Sequence, residues 1–186
     1  MSNISAAQVK ELREKTGLGL MDCKKALEGA NGDLDLAIEE LRKTSGVKAS
    51  KKSGRSAADG LIGITTKNDN IYMIEVNCET DFVARDESFI NFTAETLSIY
   101  SETPEVSLEE LLANGVEENR EKLVQKLGEN IVVRRLDKTD SSSIIGSYLH
   151  SNQKIGCIVS LQGGDKALAN DIAMHAAATD PMAVSP

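Results

Sequence analysis

Between Ile71 and Ala84 the chain passes without interruption from strict alternation to the start of a helix. Tyr72, Ile74, Val76 and Cys78 fall on one face of a strand. The run Asn77-Cys78-Glu79-Thr80-Asp81-Phe82-Val83-Ala84 then carries the strand into a helix. A half-buried strand closed by such a junction demands a sheet covered by a helix, which restricts the fold to mixed architectures. The junction also sets a carboxylate beside an aromatic ring. That chemistry suits a wedge pushed into a partner better than a reaction centre.

The flanking strands complete an α+β pattern. Leu61-Ile62-Gly63-Ile64 and Ile71 to Val76 enclose Asn68-Asp69-Asn70, a hairpin loop. Ile131 to Leu136, Ile144 to Leu149 and Ile155 to Leu161 read as three more strands. Asp86 caps a helix running to about Tyr100, with Ile90, Ala94 and Leu97 on one side. Ser107-Leu108-Glu109-Glu110 is a capping box, Glu117 to Leu127 a charged helix stopped by Gly128, and Asp165 caps a last helix bearing Leu168, Ile172 and Ala176. Hairpin-joined strands with helices arriving in blocks predict an antiparallel sheet with helices on one face.

The first 45 residues read as three short helices. Ser5-Ala6-Ala7-Gln8 is a capping box that opens a helix carrying Val9 and Leu12 inward, and Thr16-Gly17 ends it. A second helix holds Cys23 and Leu27 and stops at Asn31-Gly32. Asp33 caps a third, whose Leu34, Ala37, Ile38 and Leu41 form one apolar stripe. Helices this short are marginal alone and must pack on one another, as in a ubiquitin-associated-like bundle. Residues 46–56 hold Lys48, Lys51, Lys52 and Arg55 with no acid, and read as a flexible basic linker. The expected division is therefore a bundle over 1–45, a linker over 46–56 and an α+β core over 57–186.

Composition narrows the function. With 3% aromatic residues and no Trp, the core must be aliphatic, so an exposed Phe would stand out. A net charge of −8 disfavours a dedicated nucleic-acid binder, which needs a basic face against phosphate. The basic linker has no interleaved aromatic for base stacking, and a solvated tether is its simpler reading. No apolar run has the ~20 residues of a membrane span, and Met1-Ser2-Asn3-Ile4-Ser5 lacks the features of a secretion signal. Cys23, Cys78 and Cys157 are few, odd and far apart, and read as small hydrophobes in a reducing cytoplasm. Catalytic elbows, phosphate loops and metal-binding helices have no counterpart, and two histidines, His150 and His175, make a His-based metal site improbable.

Taken alone, Phe82 reads as a core residue, Asp81 as a turn or capping residue and His150 as a hydrogen-bonded strand end. A family resemblance changes that reading. Val9-Lys10-Glu11-Leu12-Arg13-Glu14-Lys15-Thr16-Gly17, Met21 to Leu27, Asn31-Gly32-Asp33 and Ala58-Asp59-Gly60 are similar to segments of translation elongation factor Ts. So are Glu75 to Ala84, Gly128-Glu129-Asn130-Ile131, Gly146-Ser147-Tyr148 with His150, and Ile172-Ala173-Met174-His175, in the family's order.

The resemblance implies a non-catalytic guanine-nucleotide exchange factor, with no cofactor and no metal of its own. Its implied partner is elongation factor Tu, GDP-bound and nucleotide-free, with no direct nucleic-acid or membrane contact. Thr80, Asp81, Phe82 and Val83 match the motif that helps dislodge the partner's Mg²⁺. Leu127, Gly128 and His150 match the group that disturbs its phosphate-binding loop, and Leu20 and Met21 match docking positions of the N-terminal bundle. Longer members continue past the Ile172 to Ala178 helix with a second core half and a helical protrusion. This chain stops at Pro186, so a truncated or short form is the expectation. Two other readings remain: an adaptor using the bundle to bind another protein, and a small enzyme using Cys78 near Asp81.

Overall fold

The computed structural model describes residues 4–139 and 143–183. Met1-Ser2-Asn3, read above for a secretion signal, and the terminal Pro186 lie outside the described residues. The chain forms two compact units, one of residues 1–56 with 115–131 and one of 57–114 with 132–186.

The first unit starts with α1 (Ala6–Thr16), α2 (Leu20–Gly29) and α3 (Leu34–Lys52). The capping signals act as expected. The Gln8 amide donates to Ser5 Oγ at 3.2 Å, and the Asp35 and Leu36 amides donate to Asp33 Oδ1 at 3.0 Å each. Each cap satisfies amides that the helix itself leaves unpaired. Leu12, Leu27 and Cys23 meet Ala37 and Leu41 in the core, and Ile38 and Leu34 pack against its rim.

One expectation fails here. The stretch 46–56, read as a flexible linker, is helical as far as Lys52 because α3 does not stop after its apolar stripe. Its small residues Ser45 and Ala49 are 1% exposed each, and α7 (Glu117–Leu127) packs on this part of α3. A Cβ on Gly46 would lie 3.0 Å from the Glu121 carboxylate, so the glycine leaves room for that side chain. Small, polar and basic residues look like a tether only until a second helix buries their narrow face. The carbonyl end of α7 is closed by Gly128, left-handed at φ 81°, as its sequence signal requires.

In the second unit the strands divide between two antiparallel sheets. The first has the order β1 (Asp59–Lys67), β2 (Asn70–Cys78), β3 (Val132–Lys138). Asn68 and Asp69 both take positive φ, 49° and 56°, which matches the hairpin's twist. Tyr72, Ile74, Val76 and Cys78 are all buried, as their alternation predicts. Between β2 and β3 come α4 (Asp81–Ala84), α5 (Glu87–Glu102) and α6 (Leu108–Leu111). The helix α5 lies on β1 and β2 and turns Phe89, Phe92, Thr93, Thr96, Leu97 and Tyr100 inward. Ile90 is exposed rather than inward, since the aromatic pair Phe89 and Phe92 takes the core face. Tyr100 meets Tyr72 edge to face at 5.4 Å.

The second sheet pairs β4 (Ile144–Leu149) with β5 (Gly156–Leu161), and α8 (Lys166–Thr179) covers it. The expected inward stripe of α8, Leu168, Ile172 and Ala176, is rotated: Ala169 and Ala173 are buried, while Leu168 and Ile172 are exposed. The reason is Gly146 on β4. A Cβ there would lie 2.6 Å from Asn170 N and closer still to the Ala169 carbonyl, so helix backbone rests on sheet backbone. Only alanines fit so close an approach.

Candidate functional site

The strand β2 ends at Cys78, and the chain turns at once into α4. Thr80 caps it: its hydroxyl accepts from Val83 N at 3.5 Å, and its carbonyl accepts from the Cys78 thiol at 3.2 Å. Val83 and Ala84 point into the core, which fixes the turn on the sheet. Phe82, about 100° around the helical turn from each neighbour, points out and is 83% exposed. A ring left in water by its own fold is unusual in a chain with so few aromatics. Asp81 stands at the first helical position, where a carboxylate is favoured by the helix dipole. Arg85 pairs with it at 2.9 Å. The motif is therefore a rigid pedestal: two apolar residues anchor it, an ion pair braces one side, and the ring projects.

His150, the other residue of this unit expected to face a partner, lies directly after β4. Its backbone amide donates to Ile155 O at 2.9 Å, and Gln153 N donates back to its carbonyl at 2.8 Å. The Tyr148 hydroxyl lies 2.9 Å from His150 Nδ1. Donation by that hydroxyl places the imidazole proton on Nε2. The turn beyond His150 is tied to β1, since Ile62 N donates to Gln153 O at 2.7 Å and Lys154 pairs with Asp59 at 2.7 Å. Asp59 faces Cys78 across the sheet register. The His150 turn and the Thr80–Val83 motif thus share one end of the β1–β2 pair. The Lys154 ammonium in turn holds the Asp59 carboxyl below its usual range.

In the first unit, Leu20 and Met21 open α2 and are 53% and 60% exposed. Leu18, just before them, is buried and pins the loop. Leu127, half-buried, is the last residue of α7, and Gly128 caps it. Lys52 donates to the Gly128 carbonyl, and Gln125 Nε2 donates to Asp22 Oδ2 at 3.0 Å. The residues expected to face a partner from this unit therefore sit on two helix ends joined by side-chain bonds. Cys78, the residue of the enzymatic alternative, is fully buried, and Lys48 and Lys52 of the expected linker bond to their own chain.

Sequence reasoning missed three supporting residues. Arg85 had a signal, its spacing of four from Asp81 on one helix. Gln125 and Lys52 had none, because each acts across a long sequence separation. Among the described residues, no group of three or more His, Cys, Asp or Glu is placed to hold a metal ion. Among them, too, no helix is long and apolar enough to cross a membrane.

Comparison with known proteins agrees with the resemblance. A family model described as Elongation factor TS matches residues 79–186. The chain is 51% identical over 187 residues to elongation factor Ts of Hahella chejuensis (strain KCTC 2396), covering 100% of this chain and 65% of that protein. It is 51% identical over 188 residues to elongation factor Ts of Marinobacter nauticus (strain ATCC 700491 / DSM 11845 / VT8), with the same coverage. With elongation factor Ts of Arthrospira platensis it shares 48% identity over 194 residues, 100% of this chain and 78% of that protein. The chain spans about 65% of the length of the first two relatives.

Proposed function

We propose that this chain, which belongs to the elongation factor Ts family, is a cytoplasmic guanine-nucleotide exchange factor that acts on elongation factor Tu. It binds the GDP-bound partner, dislodges Mg²⁺ and disturbs the phosphate-binding loop. The nucleotide-free complex then accepts GTP. The observation that carries the reading is the exposed Phe82 ring on its braced pedestal, 83% in water before any partner arrives.

The energetics are consistent with such a wedge. GDP is held largely by its Mg²⁺ and by backbone amides of a glycine-rich loop. To speed release ~10⁴-fold by weakening GDP binding alone requires about 5.5 kcal/mol of differential binding. A central aromatic anchor with surrounding apolar contacts contributes energy of that order. In this reading Phe82 inserts near the switch region and Asp81 approaches the metal's surroundings. Thr80 and Val83 hold the motif's shape, while Leu127, Gly128 and His150 press on the phosphate-loop side. Leu20 and Met21 dock the N-terminal helices on the same partner. Linkage then makes nucleotide weaken the exchange factor's grip by the same factor, so incoming GTP ejects it. No covalent step is needed.

The test is release of a fluorescent GDP from elongation factor Tu, with and without the 186-residue chain, at a series of Mg²⁺ concentrations. The expected result is stimulated release that shrinks as Mg²⁺ rises. Release unchanged by the chain at every Mg²⁺ concentration would overturn the reading.

A further inference from the structure

Four polar side chains join α2, α3 and α7 into one connected group. The Lys48 ammonium donates to both Asp22 carboxylate oxygens at 3.2 Å. Gln125 Nε2 donates to Asp22 Oδ2 at 3.0 Å, and the Ser45 hydroxyl lies 2.6 Å from Gln125 Oε1. The hydroxyl is also 2.9 Å from the Leu41 carbonyl, which can only accept. The Asp22 carboxylate settles the orientation of the amide, since only an N–H can face it. The amide oxygen must therefore face Ser45, which donates to it. Ser45 is buried, so a side chain that could not accept here would leave its hydroxyl with the Leu41 carbonyl alone.

The positions of these residues are what matter. Asp22 follows Leu20 and Met21 directly, at the start of α2. Gln125 stands two residues before Leu127 and three before Gly128, at the end of α7. Lys52 adds a second tie by donating to the Gly128 carbonyl. A cation there also faces the negative end of the helix dipole. Asp22 and Gln125 are each half-buried, so their bond lies at the edge of the unit rather than deep inside it.

We propose that Gln125 is a positioning residue, which locks the α2 start bearing Leu20 and Met21 to the α7 end bearing Leu127 and Gly128. The two helix ends then meet the partner as one preformed surface. This rests on the exchange reading above and deepens it. Preorganisation lowers the cost of binding without adding a contact. Loss of the lock weakens docking and leaves the wedge step unchanged, because Phe82 is not part of this group.

The experiment measures fluorescent-GDP release from elongation factor Tu over a range of concentrations of the full chain. It separates the half-saturating concentration from the plateau rate. Gln125→Glu places a second carboxylate against Asp22, and is expected to raise the half-saturating concentration ~10-fold, the scale of a charged hydrogen bond. The plateau should not change. Asp22→Asn combined with Gln125→Glu reverses the bond. The amide introduced at position 22 can donate to the new carboxylate, while Lys48 and Ser45 keep a partner.

The double variant is expected to return the half-saturating concentration to within about threefold of the wild-type value. A single variant indistinguishable from wild type overturns the proposal, as does a double variant no better than the single one. A fall in plateau at unchanged half-saturation also overturns it. Where Gln125→Glu does not fold by circular dichroism, Gln125→Met removes the amide without adding charge, and an unchanged half-saturating concentration there overturns the proposal. Should the wild-type chain fail to stimulate release at all, the exchange reading falls and takes this inference with it. If Phe82→Ala abolishes stimulation while every Gln125 variant leaves it intact, only this inference falls.

Discussion

Replacing Phe82 with alanine removes a ring that the fold hardly uses, because 83% of the residue is already in water. Fully burying a Phe side chain is worth about 1.5–3 kcal/mol, so the one sixth that is covered contributes under ~0.5 kcal/mol to folding. The thermal midpoint of Phe82→Ala should therefore stay near that of wild type. In a complex the same ring would bury about 150–250 Å². After the costs of association, a central aromatic anchor is worth about 2–4 kcal/mol, a loss of roughly 30- to 700-fold when it is truncated. The neighbouring position is the control. Val83 is buried, and Val83→Ala should cost about 1–3 kcal/mol of stability through the cavity it leaves. The assay is fluorescent-GDP release from elongation factor Tu, read beside a thermal melt of each variant. Normal stimulation by Phe82→Ala, or a loss of its stability as large as that of Val83→Ala, would refute the reasoning.

Gly146→Ala should destabilise the second unit by about 3 kcal/mol, the upper end for overpacking, since the obstruction is α8 backbone and cannot rotate away. Differential scanning calorimetry should show the midpoint falling by roughly 6–12 °C. Glu121 has its carboxyl raised above the usual value of 4.5, first by burial and then by the nearby Glu117. A raised carboxyl leaves stability intact below the unfolded value and loses it as pH rises through the folded one. Glu121→Gln should thus raise the thermal midpoint at pH 7 and change it little at acid pH, which a melt series across pH checks. Thiol labelling of the native chain should reach Cys157 first and slowly, because burial pushes that thiol up, while Cys23 and Cys78 react only on unfolding. Rapid native labelling of Cys78 would revive the enzymatic alternative.

The local features of this chain were legible because their causes are local. Ser5 with Gln8, Asp33, Ser107 with Glu110, and Asp165 each cap a helix through atoms only a few residues away. The alternation from Tyr72 to Cys78 named a buried face, and Asn68-Asp69 named the hairpin turn. The residues of the candidate site could be chosen from sequence through the family resemblance alone, since Phe82 and Asp81 by themselves read as core and turn.

Tertiary structure decided what depends on distant neighbours. Whether residues 46–52 form a tether or a helix turned on α7, whose burial of Ser45 and Ala49 rewards helical order that the local sequence does not favour. Which face of α8 points inward turned on Gly146, where contact between backbones admits Ala169 and Ala173 and excludes Leu168 and Ile172. That Phe82 projects while Val83 and Ala84 anchor it follows from how α4 settles on β1 and β2. Hydrophobicity states how strongly a side chain avoids water, but only the packed chain determines which side chains can be covered.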